Sequence, residues 1–193
     1  MKVSVAIITK NEEANIRGCI ASCSWADEIV IIDSHSTDAT VEIASSLGAR
    51  VLKKQFSDYS TQKQFAVDSC QNDWVLSLDA DERIEKDLYL ALSTIDPSRI
   101  ELAYTLNRVN HFFGQKVNFS GWKNEQVVRL FNRNKSRFNN RIVHEKIIGY
   151  DRSIPLGIRI LHYPYRNNSQ IQEKIRNYAE LGATEIMKKR KNP

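Results

Sequence analysis

Short apolar runs alternate with helical segments throughout residues 1–96, and this alternation limits the possible folds more than any other feature of the sequence. The runs are rich in valine and isoleucine and are bounded by polar turns, which is typical of strands buried inside a sheet. Strands that are joined by helices run parallel to one another. The pattern therefore predicts an α/β fold with a mostly parallel sheet, with strands at residues 3–8, 28–33, 50–53 and 74–78, helices at residues 11–24, 59–70 and 85–95, and one helix ending at Leu47.

The pattern changes after Pro97, where predicted strands follow one another without helices between them. Polar and aromatic loops separate these strands, which indicates a mixed, partly antiparallel region. A chain of this length suits one continuous domain, which we divide into a nucleotide-binding half, residues 1–96, and an acceptor half, residues 97–193. The predicted strands are residues 103–109, 126–131, 142–148 and 158–162, and a final helix at residues 169–191 has Ile171, Ile175, Tyr178, Gly182 and Ile186 on one face.

The net charge of +5 suits anionic partners, such as a nucleotide, a phosphorylated glycan or an acidic membrane surface. The excess is too small to indicate nucleic acid, and we expect no nucleic-acid partner. Three cysteines form an odd and sparse set, which argues against a disulfide framework and fits a reducing cytosol. We expect Cys19 and Cys23 to pack in the core as small apolar side chains.

No apolar stretch approaches the ~20 residues of a spanning helix, so we expect any membrane contact to be peripheral. The last helix ends in four consecutive basic residues, 188–191, and also carries Lys174 and Arg176. These cations could meet anionic lipid headgroups. The basic helix end could equally be a solvated end whose charges complement the helix dipole.

Polar side chains follow three of the predicted strands at their carboxyl ends, where open α/β sheets bind ligands. Two carboxylates that flank a small residue, Asp79 and Asp81, suit Mg²⁺ or Mn²⁺, which also takes diphosphate oxygens. Acidic pairs also occur in turns that bind nothing, and Asp33 could either contact a nucleoside or cap the turn that follows it. The residues expected to meet at this rim are Thr9, Asn11, Glu12, Asp33, Asp79 and Asp81.

Five segments in a fixed order resemble glycosyltransferase family 2, in particular its bacterial lipopolysaccharide-core β-1,4-glucosyltransferases. The segments are VSVAIITKNEEANI, EIVIIDSHSTDATVEIA, WVLSLDADERI, VVRLFN and VHEKI. The resemblance implies a GT-A (Rossmann-like) fold, a UDP-sugar donor, Mg²⁺ or Mn²⁺, and inversion at the anomeric carbon. It further implies a glycan or glycolipid acceptor, such as lipopolysaccharide core, and a cytoplasmic location that extends to the inner face of the membrane.

The resemblance also implies roles for single residues. Asp79 and Asp81 match the D-x-D pair, with Asp81 as the direct metal ligand, and Glu145 matches the catalytic base. On the residues alone, Glu145 could instead be a surface glutamate paired with Arg141 or Lys146. Donor contacts are implied for Thr9, Asn11, Glu12, Asp33 and Lys63; Trp122, Arg129 and His144 are candidates for the acceptor pocket; and His144 and His162 are either structural or close to the metal.

Two positions depart from the family pattern. A glycine is common where His35 stands, and we expect an exposed turn there to tolerate the histidine. Relatives usually run further than Pro193, so the sequence is either a short version or a truncated one, and acceptor or membrane contacts would then lie outside it.

Other classes of protein fit less well. A sugar nucleotidyltransferase would carry a Gly- and Arg-rich phosphate loop after the first strand, where this sequence has TKNEEANI. Neither the G-x-G-x-x-G motif of dinucleotide-binding enzymes nor the P-loop motif is present. A nucleotide- or glycan-binding module that has lost catalysis remains as an alternative.

Overall fold

The computed structural model describes residues 1–85, 88–117, 125–165 and 168–191, without the side chains of Glu173 and residues 188–191. The strands are β1 Val3–Thr9, β2 Glu28–Asp33, β3 Arg50–Lys53, β4 Trp74–Asp79, β5 Glu82–Ile84, β6 Leu102–Phe112, β7 Gln115–Lys116, β8 Glu125–Asn132, β9 Arg137–Phe138, β10 Ile147–Ile148 and β11 Arg152–Tyr165. The helices are α1 Glu13–Ser22, α2 Thr40–Ser46, α3 Tyr59–Asp68, α4 Leu88–Leu92 and α5 Asn168–Lys191.

The main sheet runs in the order β3-β2-β1-β4-β8-β6-β11-β5, with β7 paired to β6, and β9 and β10 form a separate two-stranded sheet. Strands β3, β2, β1 and β4 are parallel, as the alternating sequence pattern predicts. Strand β8 is antiparallel to both β4 and β6, whereas β6 and β11 are parallel. The predicted mixed region therefore extends the parallel sheet.

Strand β1 lies at the centre of the parallel part and has both faces covered. Val5 and Ile7 point to the side on which α1 packs its Ile16, and Ala6 points to the side on which α3 packs its Val67. Burial on both sides explains why these strands have continuous apolar runs. The thiols of Cys19, Cys23 and Cys70 are buried, as expected for the first two.

The register of β1 brings the predicted polar residues together. Thr9 pairs with Asp33 of β2, and the preceding Ile8 pairs with Asp79 of β4. Because all three strands are parallel, their carboxyl ends form one edge, where Thr9, Asp33 and Asp79 lie side by side.

The predicted strand at residues 142–148 is wrong except for Ile147 and Ile148. The segment before them is a loop whose backbone N–H groups donate to side chains: Val143 N to Glu185 Oε2 at 3.1 Å and Lys146 N to Asn139 Oδ1 at 3.2 Å. His144 has a φ of 57°, which an extended strand does not allow.

The predicted helix at residues 85–95 is shorter than expected, and strand β5 precedes it. Strand β5 is only three residues long and pairs antiparallel with β11, far along the chain. Local sequence periodicity carries no information about such a distant partner, which explains why the strand was not predicted.

Helix α5 confirms the last predicted helix, but its apolar stripe is only partly covered. Tyr178 stacks on Tyr59 of α3 with ring centroids 5.3 Å apart, whereas Ile175 and Ile186 are 63% and 58% exposed. Among the described residues, none of the helices combines the length and the apolar character that crossing a membrane requires.

His35 is exposed, as expected, but it keeps the left-handed backbone conformation that a glycine would adopt there, with a φ of 58°. This conformation costs about 1–2 kcal/mol for a residue with a Cβ atom. We expect His35→Gly to raise the free energy of unfolding by about 0.5–1 kcal/mol, measured by urea denaturation.

His35→Ala is the matched control, because it removes the imidazole but keeps the Cβ atom, and should give no comparable gain. A loss of stability in His35→Gly that His35→Ala does not share would show that the turn is not strained.

Candidate active site

A cleft of about 1440 Å³ opens at the carboxyl edge of the parallel strands. This volume exceeds that of a typical small-molecule site. Asp33 is not among the lining residues, and Trp122 lies outside the described residues. The predicted residues that line the cleft are Thr9, Asn11, Glu12, Lys63, Asp79, Asp81, Arg129, His144 and Glu145, and the cleft is also lined by Tyr59, His162, Lys174 and Tyr178.

Asp79, the last residue of β4, is held by two cations. Lys63 Nζ lies 2.9 Å from its Oδ1, and the Arg129 guanidinium lies 3.2 Å from its Oδ2. Burial alone would raise the pKa of Asp79, but the charges of Lys63 and Arg129 outweigh it and hold the pKa far below its ordinary value. Asp79 is therefore ionised, and both of its oxygens are engaged.

Glu82 contacts both Arg129 and Asp79 and stabilises their ion pair. Its carboxylate is fully buried, lies 2.5 Å from the Arg129 guanidinium and accepts a 3.1 Å hydrogen bond from the backbone N–H of Asp79. Burial lowers the pKa of Arg129, but the charges of Glu82 and Asp79 reverse this effect and raise it. Arg129, a candidate for the acceptor pocket, thus has its guanidinium bound to two acids of the chain.

Asp81 has a different environment, in which one oxygen is engaged and the other has no partner among the described residues. His162 Nε2 lies 3.5 Å and Lys174 Nζ 3.4 Å from its Oδ2. Its Oδ1 is buried without a hydrogen-bond partner among the described residues. Burial raises the pKa of Asp81, but the hydrogen bond from His162 and the charges of His162 and Lys174 lower it to about 2.

Asp81 and His162 fit a divalent cation. The Oδ1 of Asp81 is the type of hard ligand that Mg²⁺ and Mn²⁺ prefer, and imidazole nitrogen also suits transition metals. His162 Nδ1 lies 2.6 Å from Asn110 Oδ1, the kind of outer contact that orients a metal-binding histidine. No described group of three His, Cys, Asp or Glu residues is arranged to hold a metal, so donor phosphate oxygens and water would complete the coordination.

Glu145 lies inside the cleft, in the loop that replaces the predicted strand. Its Oε1 is 2.8 Å from Lys63 Nζ, and its side chain is only 13% exposed. The described ion pairs include neither Glu145 with Arg141 nor Glu145 with Lys146, the two surface pairings considered from the sequence. Arg141 pairs with Glu185 instead, at 3.2 Å. One ammonium group thus connects Glu145 to Asp79 of the D-x-D pair.

The carboxyl ends of β1 and β2 and the loops after them contribute further polar residues at or next to the cleft. Asn11 Oδ1 accepts a 2.8 Å hydrogen bond from the backbone of Thr37, which joins the two loops. Asp33 is fully buried and accepts from Ser36 N at 2.9 Å, so it caps its turn in this structure. The hydroxyl of Thr9 is buried without a partner among the described residues. The predicted nucleoside contact of Asp33 stays a prediction.

Sequence reasoning missed Tyr59 and Tyr178 as cleft residues, and for Lys174 it considered only lipid contact or a solvated helix surface. Tyr59 lies one helical turn before Lys63, a spacing that could have indicated a shared face. Lys174 points into the cleft because α5 lies along it, and no sequence signal shows where a terminal helix docks. The side chains of residues 188–191, the basic helix end, lie outside the description.

The sequence of this chain is similar to those of known glycosyltransferases. The profile of the family "Glycosyl transferase family 2" matches residues 4–154. An uncharacterized glycosyltransferase of Rickettsia bellii is 34% identical over 100% of this chain and 70% of its own length. The lipopolysaccharide core biosynthesis glycosyltransferase LpsC of Rhizobium meliloti is 32% identical over 77% of this chain and 57% of its own.

A solved structure shares the fold. S. aureus TarS 1–349, in complex with UDP, superposes with a TM-score of 0.58 at 17% sequence identity, over 84% of this chain and 60% of that one. Together with the observed sheet order, this likeness confirms the predicted GT-A type of α/β fold.

Among the described ion pairs, removing the Arg129 guanidinium should leave the buried Glu82 with only Arg108, 3.7 Å away, and Asp79 with only Lys63. We expect Arg129→Met to lower the free energy of unfolding by about 3–5 kcal/mol, measured by urea denaturation. Arg159→Met is the matched control, because Arg159 pairs with Glu85 at 2.7 Å but is 55% exposed, and such pairs contribute at most about 1 kcal/mol. Equal effects of the two substitutions would contradict the proposed role of Arg129.

The lowered pKa of Asp81 makes stability depend on acid. Because the folded-state pKa is about 2 and the ordinary value is 3.8, the stabilisation is present above about pH 4 and is lost as the pH falls through 2. The difference corresponds to about 2 kcal/mol. We expect the free energy of unfolding of the metal-free protein to fall between pH 4.5 and 2. In Asp81→Asn this decrease should be smaller by about 2 kcal/mol.

The control for this experiment is Asp151→Asn, whose carboxylate is 64% exposed in the parent. It should keep the acid dependence of the parent protein. Asp81→Asn with an unchanged acid dependence would show that the Asp81 carboxylate gains nothing from the fold.

Proposed function

This chain belongs to glycosyltransferase family 2, and we propose that it is an inverting, metal-dependent hexosyltransferase with a UDP-sugar donor. We further propose a glycan or glycolipid acceptor of the lipopolysaccharide-core type, with glucose as the first hexose to test. The name of the LpsC relative supports this acceptor class. The sugar rests on the resemblance described above.

The observation that carries the proposal is the bridge made by Lys63. Its ammonium lies 2.9 Å from Asp79 and 2.8 Å from Glu145, inside one cleft. A glycosyl transfer needs a base on the acceptor side and charge compensation on the leaving-group side. The bridge sets the candidate base next to the acids of the D-x-D pair, whereas a module that only binds would not need a carboxylate there.

Asp81 and His162 are the residues that would hold the metal, through Oδ1 and Nε2. Both oxygens of Asp79 are already engaged by cations, which favours Asp81 as the direct ligand. When bound, Mg²⁺ or Mn²⁺ would neutralise charge on the departing diphosphate. Asp79 would contribute indirectly, through the placement of Lys63.

The remaining chemistry falls to Glu145. Its carboxylate takes the proton from an acceptor hydroxyl as that oxygen bonds to the anomeric carbon. The bond from this carbon to the diphosphate oxygen breaks, and its electron pair leaves with UDP. A single displacement of this kind inverts the anomeric centre. Lys63 holds Glu145 in place through their 2.8 Å ion pair.

We ascribe donor binding to residues 1–96 and acceptor binding to residues 97–193. The unpartnered hydroxyl of Thr9 lies at the end of the cleft that Asn11 and Glu12 also line, which suits a nucleoside with its many polar groups. His144, which also lines the cleft, and Trp122 remain acceptor candidates. A glycolipid acceptor would place the reaction at the cytoplasmic face of a membrane.

Donor binding and turnover test the proposal together. We expect UDP with Mn²⁺ at 100 times the dissociation constant to raise the melting temperature by roughly 5–11 °C. Glu145→Gln should keep this shift but lose about 10²- to 10⁴-fold in the rate of transfer from UDP-glucose to a heptose-containing core acceptor. Melting scans and UDP release are the two measurements.

Glu85→Gln is the matched control, since Glu85 carries the same charge, pairs with Arg159 and does not line the cleft. It should change neither quantity. Unchanged turnover in Glu145→Gln would exclude Glu145 as the base, and the absence of a shift with every nucleotide would overturn the transferase assignment. A shift without turnover in the parent, over a panel of UDP-sugars and acceptors, would favour a binding module.

A further inference from the structure

Lys174 is a half-buried cation in the cleft with no part in the mechanism above. It extends from α5, and its ammonium lies 3.4 Å from Asp81 Oδ2 and 5.4 Å from the ring centre of Tyr165. Burial lowers the pKa of Lys174, but the charges of Asp81 and Asp79 reverse this and raise it. The ammonium is therefore charged, and it pairs with Asp81, the carboxylate that would hold a metal.

Helix α5 is held against the body at other points, so it presents Lys174 from a fixed scaffold. Glu185 accepts from Val143 N at 3.1 Å and pairs with Arg141 at 3.2 Å, and Tyr178 stacks on Tyr59. The lysine itself is 34% exposed, and its stem has four carbons and three rotatable donors. The ammonium can therefore move without the helix.

A divalent cation and an ammonium compete for Asp81. A metal on Oδ1 would lie close to the positive Lys174, and like charges at this separation repel strongly in a partly buried site. His162 Nε2 lies 3.5 Å from Oδ2, the same oxygen that Lys174 approaches. A donor diphosphate entering with the metal would be an anion next to the displaced ammonium, and a charge-assisted hydrogen bond would form there.

We propose that Lys174 is a switching counter-ion, which neutralises Asp81 while the site is empty and binds the donor diphosphate once a metal is bound to Asp81. The inference rests on the proposed function. It makes Lys174 a donor-binding residue. It also makes metal and donor bind cooperatively, because the metal alone would repel the nearby ammonium, whereas the diphosphate would attract it. Cooperativity of this kind is reciprocal between the two ligands.

The test measures Mn²⁺ binding to the full chain by electron paramagnetic resonance, with and without UDP, and UDP binding with and without Mn²⁺ by calorimetry. In Lys174→Gln we expect Mn²⁺ alone to bind about tenfold more tightly, since a repelling charge is gone. UDP in the presence of Mn²⁺ should bind about tenfold more weakly, since a charged hydrogen bond is lost. The coupling between the two ligands should fall accordingly.

Two variants control for side effects. Arg176→Gln removes one positive charge from an exposed position of the same helix outside the cleft, and it should leave both affinities unchanged. Lys174→Arg keeps the charge and should keep most of the coupling. Melting scans of each variant without ligands show whether it is folded.

The two expected effects of Lys174→Gln have opposite signs, because Mn²⁺ alone should bind more tightly and UDP with Mn²⁺ more weakly. A merely structural role would not produce opposite signs. Weakening of both ligands in Lys174→Gln, or no change in either, would overturn the switching role while leaving the transferase proposal intact. Failure of the parent protein to bind either UDP or Mn²⁺ at millimolar concentration would overturn both.

Discussion

The ion pairs around Asp79 are the interaction on which the rest of the structure depends. Asp79 ends β4, Arg129 comes from β8, and Lys63 comes from α3, so a single carboxylate joins three elements. Glu82 adds a second buried acid below the same guanidinium. Charges buried this deeply are tolerated only when each has a partner, and removing one partner exposes the full desolvation penalty of the others. The ion pairs of Asp79 and Glu82 therefore hold β4, β8 and α3 together at this side of the cleft.

The balance explains why the two acids of the D-x-D pair differ. Asp79 lies where cations from the sheet and from α3 reach both of its oxygens, and it acts as part of the framework. Asp81 lies two residues further on, in the turn after β4, and only its Oδ2 is engaged. An acid whose second oxygen has no described partner can gain a ligand without breaking the framework. Identical side chains two positions apart thus have separate tasks.

The sequence was most informative where structure is local. Strands β1 to β4 and their polar ends follow from apolar runs and turn residues that are close together in the chain. The interactions that could not be predicted join distant residues: β5 with β11, Arg129 with Glu82, and Lys174 with Asp81. The loop before β10 was mistaken for a strand because its backbone is satisfied by Asn139 and Glu185, which periodicity does not register.

The spacing of these partners along the chain also sets the order in which the site can assemble during translation. Asp79 leaves the ribosome 50 residues before Arg129, and Asp81 leaves it 93 residues before Lys174. At about 5–20 residues per second, the acids wait several seconds for their partners. Of their described ion-pair partners, Asp79 has only Lys63 during this interval, and Asp81 has neither His162 nor Lys174. The ion pairs of the cleft can thus be complete only when most of the protein has been made.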